Sequence, residues 1–172
     1  MTNKEASYKQ EHMVADYMGW RVVSGSGARP FKPGDITSDH FLVECKTHTD
    51  VQDKVCFRRT HWEKIVIEAQ SSTKFPLLVT DNGTQDSKYT WVMLPLRVIN
   101  NCAVVNSIDG LCDTSRKGTT VTFDPVDAMS LYKDKSIDGQ TSLFIAKWGA
   151  DGDCLAIMPL SSFKEFYARE FY

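Results

Sequence analysis

Long apolar runs are missing from the 172-residue chain: no stretch of about 18 apolar residues occurs, so no membrane-spanning helix is expected. The opening MTNKEASYKQEH has no apolar segment that would serve as a signal peptide. The expectation is a protein that stays in the cytoplasm where it is made. Metal-spaced cysteine pairs are missing too. Cys45, Cys56, Cys102, Cys112 and Cys154 form no CxxC, and an odd, scattered set fits buried thiols in a reducing compartment and argues against structural zinc. His40, Cys45 and His48 also lack zinc spacing. No GxxxxGK loop occurs, so ATP use is not indicated. An excess of one charge is absent as well: 20 Lys and Arg against 22 Asp and Glu leave −2, which argues against a protein that coats nucleic acid by bulk electrostatics. With only 10 Gly and 6 Pro, 42% apolar and 24% charged residues, disordered, collagen-like and coiled-coil classes are excluded. The length fits one enlarged domain or a domain with an extension.

The charge distribution says more than the total. Residues 1–75 hold 11 Lys and Arg against 10 Asp and Glu and all four His, whereas residues 76–172 hold 9 against 12, so an anion site is expected in the first half. Tyr8, Met13, Val14 and Tyr17 recur at helical intervals and Gly19 stands at a C-cap position, predicting a helix over 4–18. Trp20 to Val23 reads as a short strand, followed by the irregular loop SGSGARPFKPG. Asp35 to Thr37 and Phe41 to Lys46 read as a hairpin turning at Ser38, Asp39 and His40. After a short strand at 55–59, Thr60 and Glu63 match the S/T-x-x-E capping box. The following helix over 61–71 has Trp62, Ile65, Val66 and Ala69 as its buried stripe. Strands over 75–80 and 89–96 flank the turn DNGTQDS.

Residues 97–172 carry an echo of what precedes them. Val55, Phe57, Leu77 and Gly83 recur 66 positions on as Val121, Phe123, Leu143 and Gly149, and Met93 to Leu96 recurs two residues closer as Ile157 to Leu160. Two readings fit: an internal duplication, or two βαββ units of similar patterning. The tail SSFKEFYAREFY reads as a terminal helix with an aromatic face for core or partner packing. The apolar stretches AVV, SLFIA and CLAIMPL must be buried, so this half is expected to extend the sheet or form a dimer interface. It holds Asp109 and Asp113 but no E-x-K, and so cannot rebuild the site described next.

That site is Gly34-Asp35-Ile36, eight further residues, then Glu44-Cys45-Lys46. In a strand, Glu44 and Lys46 project to one face while Cys45 points to the packing layer opposite. If Asp35 begins the adjacent strand, its carboxylate meets that of Glu44. With the Cys45 carbonyl they make a hard-oxygen site suited to Mg²⁺ or Mn²⁺. Lys46 would orient and help deprotonate a water and face the phosphate oxygen on which charge grows. Taken alone, the spacing also fits an exposed hairpin pair.

The ordered context resembles the PD-(D/E)XK nuclease superfamily and, within it, the phage and archaeal Holliday-junction resolvases. The resemblance rests on Glu11, Gly19, Ser24-Gly25-Ser26-Gly27-Ala28, Gly34-Asp35, Glu44-Cys45-Lys46, Trp62 and Pro76-Leu77-Leu78-Val79, and covers residues 4–96. It departs at Gly34, where the superfamily name has proline, and over 97–172. It implies an α/β fold: a mixed central β-sheet flanked by helices, with a restriction-endonuclease-like core over 1–96 and a C-terminal α+β extension over 97–172. It implies Glu11, Asp35, Glu44 and Lys46 as the catalytic set, with Glu11 joining Asp35, Glu44 and the Cys45 carbonyl around Mg²⁺ or Mn²⁺. Ser24, Gly25, Ser26 and Gly27 offer close phosphate approach, and Arg29, Lys32 and His48 are further DNA contacts. Gln70 or Lys74 is a candidate additional site residue, and Arg58 and Arg59 candidates for a groove rim. The implied activity is metal-dependent cleavage of branched DNA by a homodimer, in a host cytoplasm if phage-encoded. The alternatives are a restriction-like, flap or repair nuclease, or a non-catalytic DNA-binding module on the same fold.

Overall fold

The computed structural model describes residues 1–24, 33–100, 103, 105–109, 113–114, 119–148 and 154–172. In chain order the elements are helix α1 (Asn3–Met18), strands β1 (Arg21–Val22), β2 (Ile36–Thr37), β3 (Phe41–Lys46) and β4 (Val55–Arg58), helix α2 (Arg59–Ser71), strand β5 (Phe75–Thr80), a 3-10 turn (Ser87–Tyr89), strand β6 (Trp91–Pro95) and helix α3 (Leu96–Asn100). Then follow strands β7 (Val105–Ile108), β8 (Asp113–Thr114) and β9 (Thr120–Phe123), helix α4 (Pro125–Lys135), strands β10 (Thr141–Lys147) and β11 (Cys154–Pro159), and helix α5 (Leu160–Glu170). Among the described residues no helix is long and apolar enough to cross a membrane.

The fold is α/β with a mixed central sheet flanked by helices. Eight strands pair in the order β1-β2-β3-β5-β6-β11-β10-β7, and β4, β9 and β8 form a second, three-stranded sheet. Strand β3 (FLVECK) is buried along five of its six residues because it lies inside the sheet, antiparallel to β2 and parallel to β5. The half beyond Leu96 extends this sheet, as expected, through β6 and β11, whose residues Trp91 to Leu94 and Ala156 to Met158 are fully enclosed.

Helix α1 ends where expected, on Gly19 in the left-handed conformation with φ 71°. Its buried face is Ala6, Gln10, Val14, Ala15 and Met18. Tyr8 points outward and rests on His12, so the expected stripe was rotated by about half a turn at its start. The expected capping box at Thr60 and Glu63 does not form. Helix α2 begins two residues earlier, Arg58 caps it without a side-chain hydrogen bond, and Arg59 Nε donates to Glu63 Oε1 at 2.8 Å. The capping box sits instead on α1, where Thr2 and Glu5 satisfy each other's backbone N–H groups. On α2 the stripe Trp62, Ile65 and Ala69 is buried as expected, with Val66 half-buried. The expected strand over 89–96 is shorter, because Tyr89 closes the 3-10 turn and Leu96 opens α3.

Helix α5 belongs to the core. Phe163 and Tyr167 pack edge-on against Trp20 and Phe41, with ring centroids 5.1 to 6.1 Å apart, so the end of the chain closes over its beginning. A fragment ending at Leu96 keeps every proposed catalytic residue but loses β11 and these aromatic anchors. It is expected to be insoluble on expression, and a soluble fragment with a cooperative thermal transition would contradict the continuity of the sheet.

Candidate active site

The β2–β3 hairpin sets the site. Ser38 Oγ accepts the Phe41 N–H at 3.0 Å and closes the turn, and Ile36 and Thr37 pair with Val43 and Leu42. Asp35 lies one residue before β2 yet remains in register: its N–H donates to the Val43 carbonyl at 2.7 Å, and its Oδ2 accepts the Cys45 N–H at 2.8 Å. Gly34 makes this approach possible. It has φ +71°, and a Cβ there would lie 2.8 Å from the Leu42 side chain and 3.1 Å from the Val43 carbonyl oxygen, while its N–H donates to Glu68 Oε2 at 2.9 Å. Proline would lack that N–H and could not adopt that φ.

Glu44 and Lys46 share one face of β3, as alternation requires. Glu44 is only 2% exposed; its Oε1 lies 2.6 Å from Lys46 Nζ and its Oε2 2.7 Å from Lys64 Nζ. Burial pushes the Glu44 carboxyl upward, but the two ammonium groups outweigh it and hold the pKa below the ordinary carboxylate value. Burial works against the Lys64 charge too, and its hydrogen bond to Glu44 with the charges of Glu44 and Glu68 holds its pKa above the usual value. Cys45 faces the opposite layer, where burial pushes its thiol well up.

Helix α1 brings up the third carboxylate. Gln10, fully enclosed, donates from Nε2 to the Lys46 carbonyl at 2.9 Å and so fixes α1 across the end of β3. Glu11, the next residue, is half-buried; burial, then the charges of Asp35 and Glu44 against that of Lys46, raise its pKa to about 7. Asp35 is likewise raised, by burial and by Glu44. Glu11, Asp35, Glu44 and Lys46 therefore converge on the end of β3, as expected.

Among the described residues no three His, Cys, Asp or Glu side chains form a ready-made metal cluster. Lys46 Nζ donates to the Cys45 carbonyl at 2.9 Å while it pairs with Glu44, so two oxygens expected to ligate a metal are held by an ammonium group. The donor chemistry still fits a hard divalent cation: Asp35 and Glu44 raise the proton affinity of Glu11, and Glu44 raises that of Asp35, so added positive charge is favoured there.

The other candidates divide. Of the loop, Ser24 is described, whereas Gly25, Ser26, Gly27, Arg29 and Lys32 lie outside the described residues. Strand β3 ends at Lys46, so His48 does not continue its face; the His48 carbonyl is held by Gln85 Nε2 at 3.0 Å in a loop tied to Asp81 through Thr47. Lys74 does not reach the site: its Nζ bonds Thr37 Oγ1 at 2.6 Å and the Ser38 carbonyl, bracing the hairpin turn, and Gln70 is exposed at the far end of α2. Arg59 is engaged with Glu63, and Arg58 is exposed beside the site.

Sequence reading missed Lys64, Gln10 and His61. Lys64 and His61 lie on the exposed and half-exposed side of α2, and only the packing of that helix on β3 and β5 brings them near Glu44. Burial, then Lys46 and Arg58, lower the His61 pKa, leaving a neutral imidazole beside the lysines at neutral pH. The only local signal for Lys64 was its i,i+4 spacing to Glu68.

The Glu11 carboxyl titrates near 4.5 when unfolded and near 7 in the fold, so its contribution to stability is present below pH 4.5 and lost as pH rises through 7. Glu11→Gln is expected to raise Tm at pH 7.5 by about 2–4 °C, the effect of roughly 1 kcal/mol in a chain of this size after allowance for solvent screening, with no gain at pH 4.5. Thermal unfolding at the two pH values checks this, and an equal shift at both would contradict it. Compared with known proteins, the chain matches no family model, no curated protein and no solved structure, so the functional reading rests on this geometry and on the sequence motifs.

Proposed function

We propose that the protein is a metal-dependent endodeoxyribonuclease of the PD-(D/E)XK, restriction-endonuclease-like kind that nicks branched DNA, with four-way junctions as the leading substrate. The observation that carries the reading is the buried Glu44 carboxylate held between Lys46 and Lys64, with Asp35 locked to the Cys45 N–H alongside it. A hairpin pair kept only for solubility would be exposed and hydrated. Burying one carboxylate and half-burying two more beside it destabilises a fold, and such an arrangement is expected where charge is used in chemistry.

Asp35, Glu44 and the Cys45 carbonyl would hold Mg²⁺ or Mn²⁺, with Glu11 directed at the ion or its water shell. When bound, the cation supplies Lewis acidity toward a phosphoryl oxygen and the attacking water. Its two positive charges would suit an approaching phosphodiester. Lys64 keeps Glu44 ionised and in one rotamer. Lys46, at the open end of the site, would place its ammonium at the phosphate and stabilise charge developing on its oxygens. Glu11, with a carboxyl that titrates near neutrality, accepts the proton from the attacking water. One chain makes one nick, so resolving a four-way junction by paired nicks takes two chains. The branched substrate is supported by the order of motifs over 4–96, and the low net charge fits recognition at a confined site.

The test is a labelled four-way junction beside a matched linear duplex and a flap, with Mg²⁺, Ca²⁺ and EDTA. Lys46→Ala and Glu44→Gln are each expected to lower cleavage by at least about 100-fold while junction binding stays within a few-fold, since affinity comes mainly from phosphate neutralisation elsewhere. Ca²⁺ should support binding without cutting, because its looser coordination positions water poorly. Undiminished turnover by either variant sinks the site assignment, and full activity in EDTA removes the metal.

A further inference from the structure

The echo between the two halves continues into strand register. Helices α2 and α4 begin at Arg59 and Pro125, and strands β5 and β10 at Phe75 and Thr141, both 66 residues apart. Helices α3 and α5 begin at Leu96 and Leu160, and strands β3 and β7 at Phe41 and Val105, both 64 apart. The pairings follow the same correspondence. Strand β3 runs parallel to β5 with Phe41 opposite Phe75, and β7 parallel to β10 with Val105 opposite Thr141. Leu78 faces Met93 between β5 and β6, and Phe144 faces Ile157 between β10 and β11.

The contacts between the halves are centred on equivalent residues. In the β6–β11 pair Met93 lies opposite its own counterpart Ile157, flanked by Trp91 with Pro159 and Pro95 with Leu155. In the β4–β9 pair Cys56 lies opposite its counterpart Thr122, flanked by Val55 with Phe123 and Phe57 with Val121. Here, in two different sheets, a strand of the first half pairs antiparallel with its own equivalent in the second, β6 with β11 and β4 with β9, and an antiparallel pair of equivalent strands is related by a local two-fold axis, as in an isologous dimer interface. The equivalent rings of Phe57 and Phe123 meet beside this axis at 6.3 Å, and both are buried.

The second half has lost what the site needs. The register places Ile108 where Glu44 stands, and the sequence continues with Asp109 for Cys45 and Gly110 for Lys46. Ile108 is buried and apolar. Only nine residues separate β6 from β7, so nothing corresponds to α1 with Glu11 or to the β1–β2 segment leading to Asp35.

We infer that the chain is a fused pair of equivalent units whose subunit interface is internal, one unit keeping the site and the other serving as its permanent partner, so that the working enzyme is a single chain. The surface that a homodimer would use for this two-fold contact is occupied by the chain's own second half. At a four-way junction two chains then act independently, and their nicks are uncoupled in time. The single-chain state stands apart from the chemistry; the uncoupled nicks rest on the nuclease reading.

Two measurements on the full-length protein test this. Light scattering from micromolar to about 100 µM is expected to give one chain, 19.4 kDa, throughout, and a dimer mass overturns the inference whether or not the protein cuts DNA. On a supercoiled plasmid extruding a cruciform, in excess over protein, nicked circle should accumulate before linear product. Adding Lys46→Ala chains should leave the rate per wild-type chain unchanged. Direct linearisation, or suppression of wild-type activity in proportion to mixed dimers, overturns it. A monomer that never cuts refutes the nuclease reading and leaves the fused-pair inference standing.

Discussion

The buried carboxylate of Glu44 is the constraint around which the site is built. A charge enclosed to this degree is tolerated only when both oxygens are engaged, and Lys46 and Lys64 engage one each. The requirement fixes more than two side chains. It keeps α2 against β3, because Lys64 must reach across from the helix, and it holds the register of the β2–β3 hairpin, because Asp35 is placed by the N–H of the residue next to Glu44. Gln10 then ties α1 to the same strand end and delivers Glu11. The resulting surplus of carboxylate charge destabilises the protein near neutrality, as the raised pKa values of Glu11 and Asp35 record.

Much of this was legible in local sequence because strands alternate. Glu44, Cys45 and Lys46 divide between two faces by position alone, and the Ser38 to His40 turn brings Asp35 back to them. What was not legible depends on long-range packing. Lys64 resembles any solvated lysine until α2 is laid on the sheet, and Lys74, between that helix and β5, turns instead to the hairpin. Local motifs also misled: Thr60-x-x-Glu63 has the capping pattern, but Arg59 competes for Glu63 and the helix starts earlier. The same pattern at Thr2 and Glu5, with no competitor, forms the cap.

The second half shows the same division. Its patterning, strand then helix then two strands, was visible at fixed offsets, and the structure gives those offsets a geometric meaning through the matching registers within each half and the pairing of β6 with β11 and β4 with β9. The parallel pairing of β7 with β10 had no local signal, since VNSI is short and only half-buried. Yet this strand carries the comparison that matters, setting a buried isoleucine against a buried glutamate at equivalent places.

The central claim is that the carboxylates at the end of β3 constitute a hard-cation site and that the equivalent place in the second half does not. Counting Mn²⁺ by titration calorimetry or paramagnetic resonance tests it most directly, because the reading is independent of any DNA substrate. The account predicts saturable binding to the wild-type chain that is lost in Asp35→Asn and unchanged in Asp109→Asn. Binding that survives Asp35→Asn, or that disappears with Asp109→Asn, would contradict it.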